Sequence, residues 1–223
     1  MKRLFIVIIN VLFSIGFNAV AVAQQYAPFY GDIQNFKRQD SINPPPQQAI
    51  VFVGSSSFTK WTDVQNYFPD YTIINRGFGG SSLPDVIRYA NDIIIPCHPK
   101  QVVIYCGDND FAASDTVTAK MVVARFKKLF WIIRKRLPQT NIAYVSIKPS
   151  PSRIKLMAKG ERANKAIKTF LASQQNTSFV DVYHLMLGEN GRPLSSIFLS
   201  DSLHMNASGY AIWKKAIEPV LKK

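Results

Sequence analysis

Only two cysteines and three histidines occur in the 223 residues. Cys97 and Cys106 do not suit a disulfide. Cys106 ends the apolar run QVVIYC and Cys97 lies before it. An extended segment of that length holds their Cα atoms about 20 Å or more apart, well beyond the limit of about 7 Å for a bridge. Both are read as buried or partly buried free thiols. No dense cluster of histidine, cysteine and carboxylate residues is visible, so no metal is expected. The G-x-x-x-x-G-K-[ST] phosphate loop is missing, and with it a nucleotide site of that kind. G-x-S-x-G is missing too, which argues against the nucleophile elbow of the α/β-hydrolases. Acidic residues are scarce, 14 against 27 Lys and Arg, for a net charge of +13. Such an excess can attract anionic partners. In ARFKKLFWIIRKRLP, however, Arg125, Lys127, Lys128, Arg134, Lys135 and Arg136 are interleaved with apolar residues at helical spacing, as on a solvated helix face. No nucleic-acid motif accompanies them, and no nucleic-acid partner is expected.

What is present begins with a leader. Lys2 and Arg3 precede a short apolar run up to Phe17, interrupted at Asn10, and Ala21-Val22-Ala23 forms a small-x-small pattern before Gln24. This reads as a secretory signal peptide over residues 1–23, cleaved after Ala23. A secreted or periplasmic protein follows, without stable membrane insertion once the leader is removed. Loss of Lys2 and Arg3 takes the charge from +13 to +11. Residues 24–48 are polar, with one short helix predicted around Tyr30–Gln39, and end in the stiff stretch NPPPQQ.

From Ala49 the chain alternates. AIVFV, YTIIN, QVVIYC, NIAYVSI and SFVDVY are short apolar runs rich in Val, Ile and aromatics, as strands covered on both faces should be. Helical periodicity marks roughly 57–66, 82–92, 115–137, 158–175 and 206–222. Alternation of this kind predicts one α/β domain, a three-layer α/β/α sandwich around about five parallel strands. Strand order is not legible in alternation. In open parallel sheets ligands bind beyond the carboxyl ends of the strands, and four polar clusters lie there: Gly54-Ser55-Ser56-Ser57, NRGFGGSS (75–82), GDND (107–110) and DSLHMNASGY (201–210).

The last cluster sets Asp201 and His204 three residues apart. In a turn, that spacing lets a carboxylate hold Nδ1–H of the imidazole and leaves Nε2 free to take a proton from a hydroxyl. Alone, D-x-x-H would be a helix cap beside an ordinary histidine. Here the rest of a hydroxyl-nucleophile site accompanies it. One of Ser55, Ser56 and Ser57 can attack, Gly79-Gly80 allows bare backbone to approach a substrate, and Asn109 supplies an amide donor for a developing oxyanion.

Taken together, the four blocks resemble the SGNH hydrolases, also called GDSL-type esterases and lipases, over essentially everything from Ala49 onward. The resemblance implies a flavodoxin-like fold. It assigns the nucleophile to Ser56, the oxyanion glycine to Gly80, the oxyanion asparagine to Asn109, and the acid and base to Asp201 and His204. Ser56 N–H would join the oxyanion hole, and Ser57 would open the following helix. Ser55 stands where the family usually has Asp. That residue is not the triad acid, so the chemistry is expected to survive the departure. No cofactor is implied.

The activity so implied is that of a carboxylic ester hydrolase working through an acyl-enzyme on Ser56, on short-chain, acetyl esters of carbohydrate. Its partner is a small-molecule or glycan ester. Transfer of the acyl group to a glycan, a lysophospholipase or lipase activity, and a non-catalytic protein holding an anion at GSSS are the alternatives. Among nearby residues, Phe58, Trp61, Phe78 and Phe111 are read mainly as core. Arg153, in KPSPSR, is a candidate contact for a substrate carboxylate or phosphate. Asp85, Asp108 and Asp110 are expected to cap or orient. His98 and His184 are taken to lack paired acids and to be structural.

Overall fold

The computed structural model of the protein describes residues 27–223; the leader read over residues 1–23 lies outside the described residues. Five parallel strands form one sheet in the order β2-β1-β3-β4-β5. They are β1 (Ile50–Gly54), β2 (Ile73–Gly77), β3 (Gln101–Tyr105), β4 (Asn141–Val145) and β5 (Thr177–Val180). The order 2-1-3-4-5 is that of flavodoxin-like folds and has its switch point between β1 and β3.

Side chains alternate across the pleat, so each strand feeds two cores. Val51, Val53, Val102, Ile104, Ile142 and Tyr144 face one side. There they meet α4 (Leu83–Ile93), α6 (Ala119–Arg136) and α7 (Met157–Ala172), with Ile33 of α1 (Tyr30–Ile42) at the margin. Ile50, Phe52, Val103, Tyr105, Ala143 and Val145 face the other. Phe58 of α2 (Ser56–Thr59), Val64 of α3 (Val64–Tyr67), and Tyr210, Trp213 and Ile217 of α8 (Ala207–Ile217) cover that side. A further short helix, α5 (Asp108–Ala113), follows β3. The three-layer α/β/α arrangement is thus as the alternation predicts.

Three predicted helices are cut short, each for a physical reason. The segment expected as one helix over 57–66 is two single turns, α2 and α3. Asn75, reaching over from β2, donates its amide to the carbonyls of Phe58 (2.7 Å) and Trp61 (3.3 Å). Carbonyls that would have continued the helix are satisfied by a tertiary partner instead. The terminal helix stops at Ile217 and tightens into a 3₁₀ turn at Glu218–Val220, where Pro219 has no N–H for the α-helical ladder. α6 begins at Ala119 rather than 115 because Thr118 caps it, its Oγ1 accepting from Met121 N–H at 3.3 Å. Its Arg134 donates to the carbonyls of Pro138 and Thr140, so this cation of the basic helix has structural partners.

The sheet edge that carries the motifs depends on Gly54. Its φ is +143°, and a Cβ added there would overlap the Tyr105 carbonyl of β3. Ser55 N–H donates to that same carbonyl at 3.1 Å. Gly54→Ala is expected to destabilise the protein by about 3 kcal/mol or more, since left-handed strain and a backbone overlap add. Chemical denaturation of the purified variant checks this.

Candidate active site

All four polar clusters emerge at the carboxyl edge of the sheet, and burial selects among their residues. In Gly54-Ser55-Ser56-Ser57, Ser55 and Ser57 are buried at 3% exposure each, while Ser56 is partly exposed. In GDND, Asp108 and Asp110 are buried and Asn109 is partly exposed. Gly79 and Gly80 are exposed. The reachable groups at this rim therefore include Ser56, the glycine pair and Asn109.

Ser56 is the first residue of α2, with Ser55 at the cap position; the helix thus starts one residue before the Ser57 expected. Ser56 Oγ lies 3.0 Å from His204 Nε2, although 148 positions separate them in sequence. His204 Nδ1 lies 2.6 Å from Asp201 Oδ2. The other carboxylate oxygen, Asp201 Oδ1, accepts backbone N–H from Leu203 and His204, each at 2.9 Å. The imidazole contact first, and then these two amides, hold the Asp201 carboxyl well below the usual carboxylate range. Asp201 is half-exposed, whereas the His204 side chain is only 17% exposed.

The loop bearing this pair is fastened at several points. Leu199 N–H donates to the His204 carbonyl at 2.8 Å. The Asn206 side chain caps α8 by accepting from Ser208 and Gly209, and its amide donates to the Ser196 carbonyl. Tyr210 Oη reaches the Ser57 carbonyl at 2.9 Å. The terminal helix is thereby tied to the serine turn, so histidine and serine share one support.

The glycine loop is tied to the serine turn, and Asn109 to the glycine loop. Phe78 N–H donates to the Gly54 carbonyl at 2.9 Å. A Cβ placed on Gly79 would come within 4.0 Å of Ser56 Cβ. Gly80 adopts φ +85°, a left-handed conformation that costs glycine little. Asn109 Nδ2 donates to the Ser81 carbonyl at 3.0 Å, and its Oδ1 accepts from Arg153 at 2.9 Å. A hydroxyl touching an imidazole, an acid fixing that imidazole, and backbone and amide donors beside them can carry out nucleophilic acyl transfer. Among the described residues no group of three or more His, Cys, Asp and Glu is placed to hold a metal ion.

Several supporting expectations hold. Phe58, Trp61, Phe78 and Phe111 are buried at no more than 1% exposure. Asp85 accepts from Ser82 N–H at the start of α4. Asp110 is fully buried and accepts from Leu83 N–H (2.8 Å) and Arg125 (2.7 Å). Both cysteines are free and buried, and burial pushes both thiols up.

One expectation is overturned. His184 does have a paired acid: its Nδ1 lies 2.8 Å from Asp181 Oδ2. The DVYH stretch has the same spacing as DSLH but begins as the tail of an apolar run, which hides the carboxylate. The His184 side chain is 65% exposed. Spacing by itself therefore does not distinguish the two pairs; the serine facing His204 does. Sequence reasoning also passed over Lys148. Its buried side chain lies 3.6 Å from the Asp108 carboxylate, which Arg153 contacts at 2.7 Å.

A family model for GDSL-like lipases/acylhydrolases matches residues 47–212. The chain belongs to that family. The SGNH resemblance drawn from the four blocks is correct. The architecture recurs in a GDSL-like lipase from Bacteroides thetaiotaomicron, with a TM-score of 0.71 at 18% identity, covering 84% of this chain and 95% of that one. It recurs also in a catalytic mutant of an acetylxylan esterase from Geobacillus stearothermophilus, with a TM-score of 0.63 at 14% identity, covering 80% and 96%. At these identities the likeness is one of fold. An Escherichia coli N-acylneuraminate cytidylyltransferase is 25% identical over 178 residues, 78% of this chain; the chain spans 40% of that relative's length. No helix among the described residues is long and apolar enough to cross a membrane.

Proposed function

We propose that this esterase is a secreted hydrolase of short acyl esters, acetyl groups on carbohydrate above all, working through an acyl-enzyme on Ser56. Ser56 Oγ attacks the ester carbonyl carbon and its proton passes to His204 Nε2. Asp201, ionised, holds the imidazole in the required tautomer and offsets the positive charge that forms. The carbonyl oxygen becomes an oxyanion facing Ser56 N–H, Gly80 N–H and the Asn109 amide. Collapse of the tetrahedral species expels the alcohol, which takes the proton from His204. Water, activated by the same histidine, then releases the acid.

The observation carrying this reading is the continuous contact from Ser56 Oγ through His204 to Asp201, at 3.0 and 2.6 Å. The choice of acetyl esters of carbohydrate is supported by the acetylxylan esterase that shares the fold. Exposed Gly79 and Gly80 and the half-exposed Asp201 make the rim beside Ser56 open, which suits a bulky alcohol portion. The leader read over residues 1–23 supports action outside the cytoplasm.

The test is a panel of acetylated xylo-oligosaccharides beside p-nitrophenyl esters of graded acyl length. Acetyl is expected to be preferred over octanoyl by about tenfold or more in kcat/KM, a few methylenes' worth of misfit. Preference for long acyl chains, with no release of acetate from the oligosaccharides, would reject the carbohydrate-acetyl reading.

A further inference from the structure

The sequence suggests Arg153 as a contact for a substrate anion, yet the structure engages its guanidinium inside the protein. Nη1 meets Asp108 Oδ2 at 2.7 Å and Nη2 donates to Asn109 Oδ1 at 2.9 Å. The side chain is only 18% exposed.

The contact with Asn109 has a directional consequence. A guanidinium has donors and no acceptor, and a peptide carbonyl has acceptors and no donor. Asn109 lies between one of each, Arg153 on its Oδ1 and the Ser81 carbonyl on its Nδ2. Rotating the amide by half a turn would set –NH2 against the guanidinium and C=O against C=O. Only one orientation satisfies both neighbours. In it, Nδ2 uses one hydrogen on Ser81 and keeps the second. A cation on Oδ1 also draws density from the amide nitrogen, which makes that remaining N–H a stronger donor.

Arg153 is itself held from behind. Asp108 is 7% exposed and is flanked by two cations, Arg153 and the buried Lys148. Burial pushes the Lys148 ammonium down, while Asp108 favours its charged form. The loop after β4 that carries Lys148 and Arg153 also supports the histidine turn: Ser152 N–H and Oγ both donate to the Ser202 carbonyl, at 3.1 and 2.9 Å. One loop thus contacts both the asparagine side and the histidine side of the rim.

We propose that Arg153 is a positioning residue for ester hydrolysis: acting through Asn109, it fixes the amide with its free N–H toward the developing oxyanion and strengthens that donor. The inference rests on the roles of Ser56 and Asn109 given above. Arg153 does not touch the substrate.

A double-mutant cycle in the full protein with p-nitrophenyl acetate tests it. Arg153→Met is expected to lower kcat on the order of 10- to 100-fold, a part of the roughly 10²- to 10³-fold loss expected for Asn109→Ala. KM should change by less than about twofold, because the interaction is realised in the transition state. In the Asn109→Ala background, Arg153→Met should add less than about twofold, since the group it acts through is gone. Arg153→Lys should fall between wild type and Met: a single ammonium keeps a charge near Asp108 but cannot serve both partners. Should Arg153→Met fail to fold, Arg153→Lys carries the same cycle under the same criterion.

Equal losses from the Arg153 change in both backgrounds would overturn the proposal. So would a raised KM at unchanged kcat, the sign of direct substrate contact. These outcomes differ from failure of the underlying reading, which would appear as undiminished activity in Ser56→Ala.

Discussion

Hydrolysis of p-nitrophenyl acetate by Ser56→Ala is expected to fall on the order of 10⁴- to 10⁶-fold, close to the level left by binding and oxyanion stabilisation alone. The size of the loss follows from local burial. Ser55 and Ser57 flank Ser56, but both are buried and only Ser56 Oγ meets His204. No neighbouring hydroxyl can take over. A serine-directed fluorophosphonate should label the wild type and Ser55→Ala, and leave Ser56→Ala unlabelled. The fold should be indifferent: the side chain is partly exposed, and its removal should cost no more than about 0.5 kcal/mol, as at other surface positions. Retained turnover in a folded Ser56→Ala protein would refute the acyl-enzyme.

The second large effect is expected for Asp201→Asn, about 10⁴-fold in kcat. The substitution keeps the size and the acceptor for Leu203 and His204 N–H. It places an –NH2 where Oδ2 now meets Nδ1 of the imidazole. Nδ1 must then accept, so the ring proton moves to Nε2 and points at Ser56. A protonated Nε2 cannot take the serine's proton.

The pH profile separates the two groups. Asp201 titrates well below the usual carboxylate range, chiefly because of the His204 contact. A carboxyl depressed in this way stays ionised as pH falls through the ordinary range of about 4, so it removes nothing from activity there. The acid limb of log kcat/KM should have a slope of one, the uptake of a single proton by the base. A slope approaching two above pH 5 would mean that Asp201 titrates with the histidine, contrary to its hydrogen bonding.

The strands could be read from the sequence because a strand covered on both faces must be apolar throughout, and QVVIYC or AIVFV admits little else. The polar blocks could be read for a related reason. Open parallel sheets expose backbone ends at one edge, so polar blocks that directly follow strands collect there. Helix boundaries were less legible. The break after Thr59 depends on Asn75, which is distant in sequence and brought close only by the pairing of β1 with β2.

His184 and Arg153 mark the limit from the other side. DVYH and DSLH have the same spacing and form similar acid–imidazole contacts, at 2.8 and 2.6 Å. What separates them is a serine 148 positions away. Arg153 reads in sequence as an anion contact, whereas in the structure Asp108 and Asn109 occupy its guanidinium.

From the sequence alone come the five strands, the three layers and the four polar blocks, because hydrophobic periodicity and turn chemistry are local properties of a chain; the family resemblance, not periodicity, singled out five residues within those blocks. Tertiary structure alone decided the strand order, which of three adjacent serines is reachable, which of two Asp-x-x-His pairs faces a serine hydroxyl, and what the β4 loop contacts. Each of those depends on contacts between segments far apart in sequence, and such contacts exist only once the sheet has closed and water has been expelled from both of its faces.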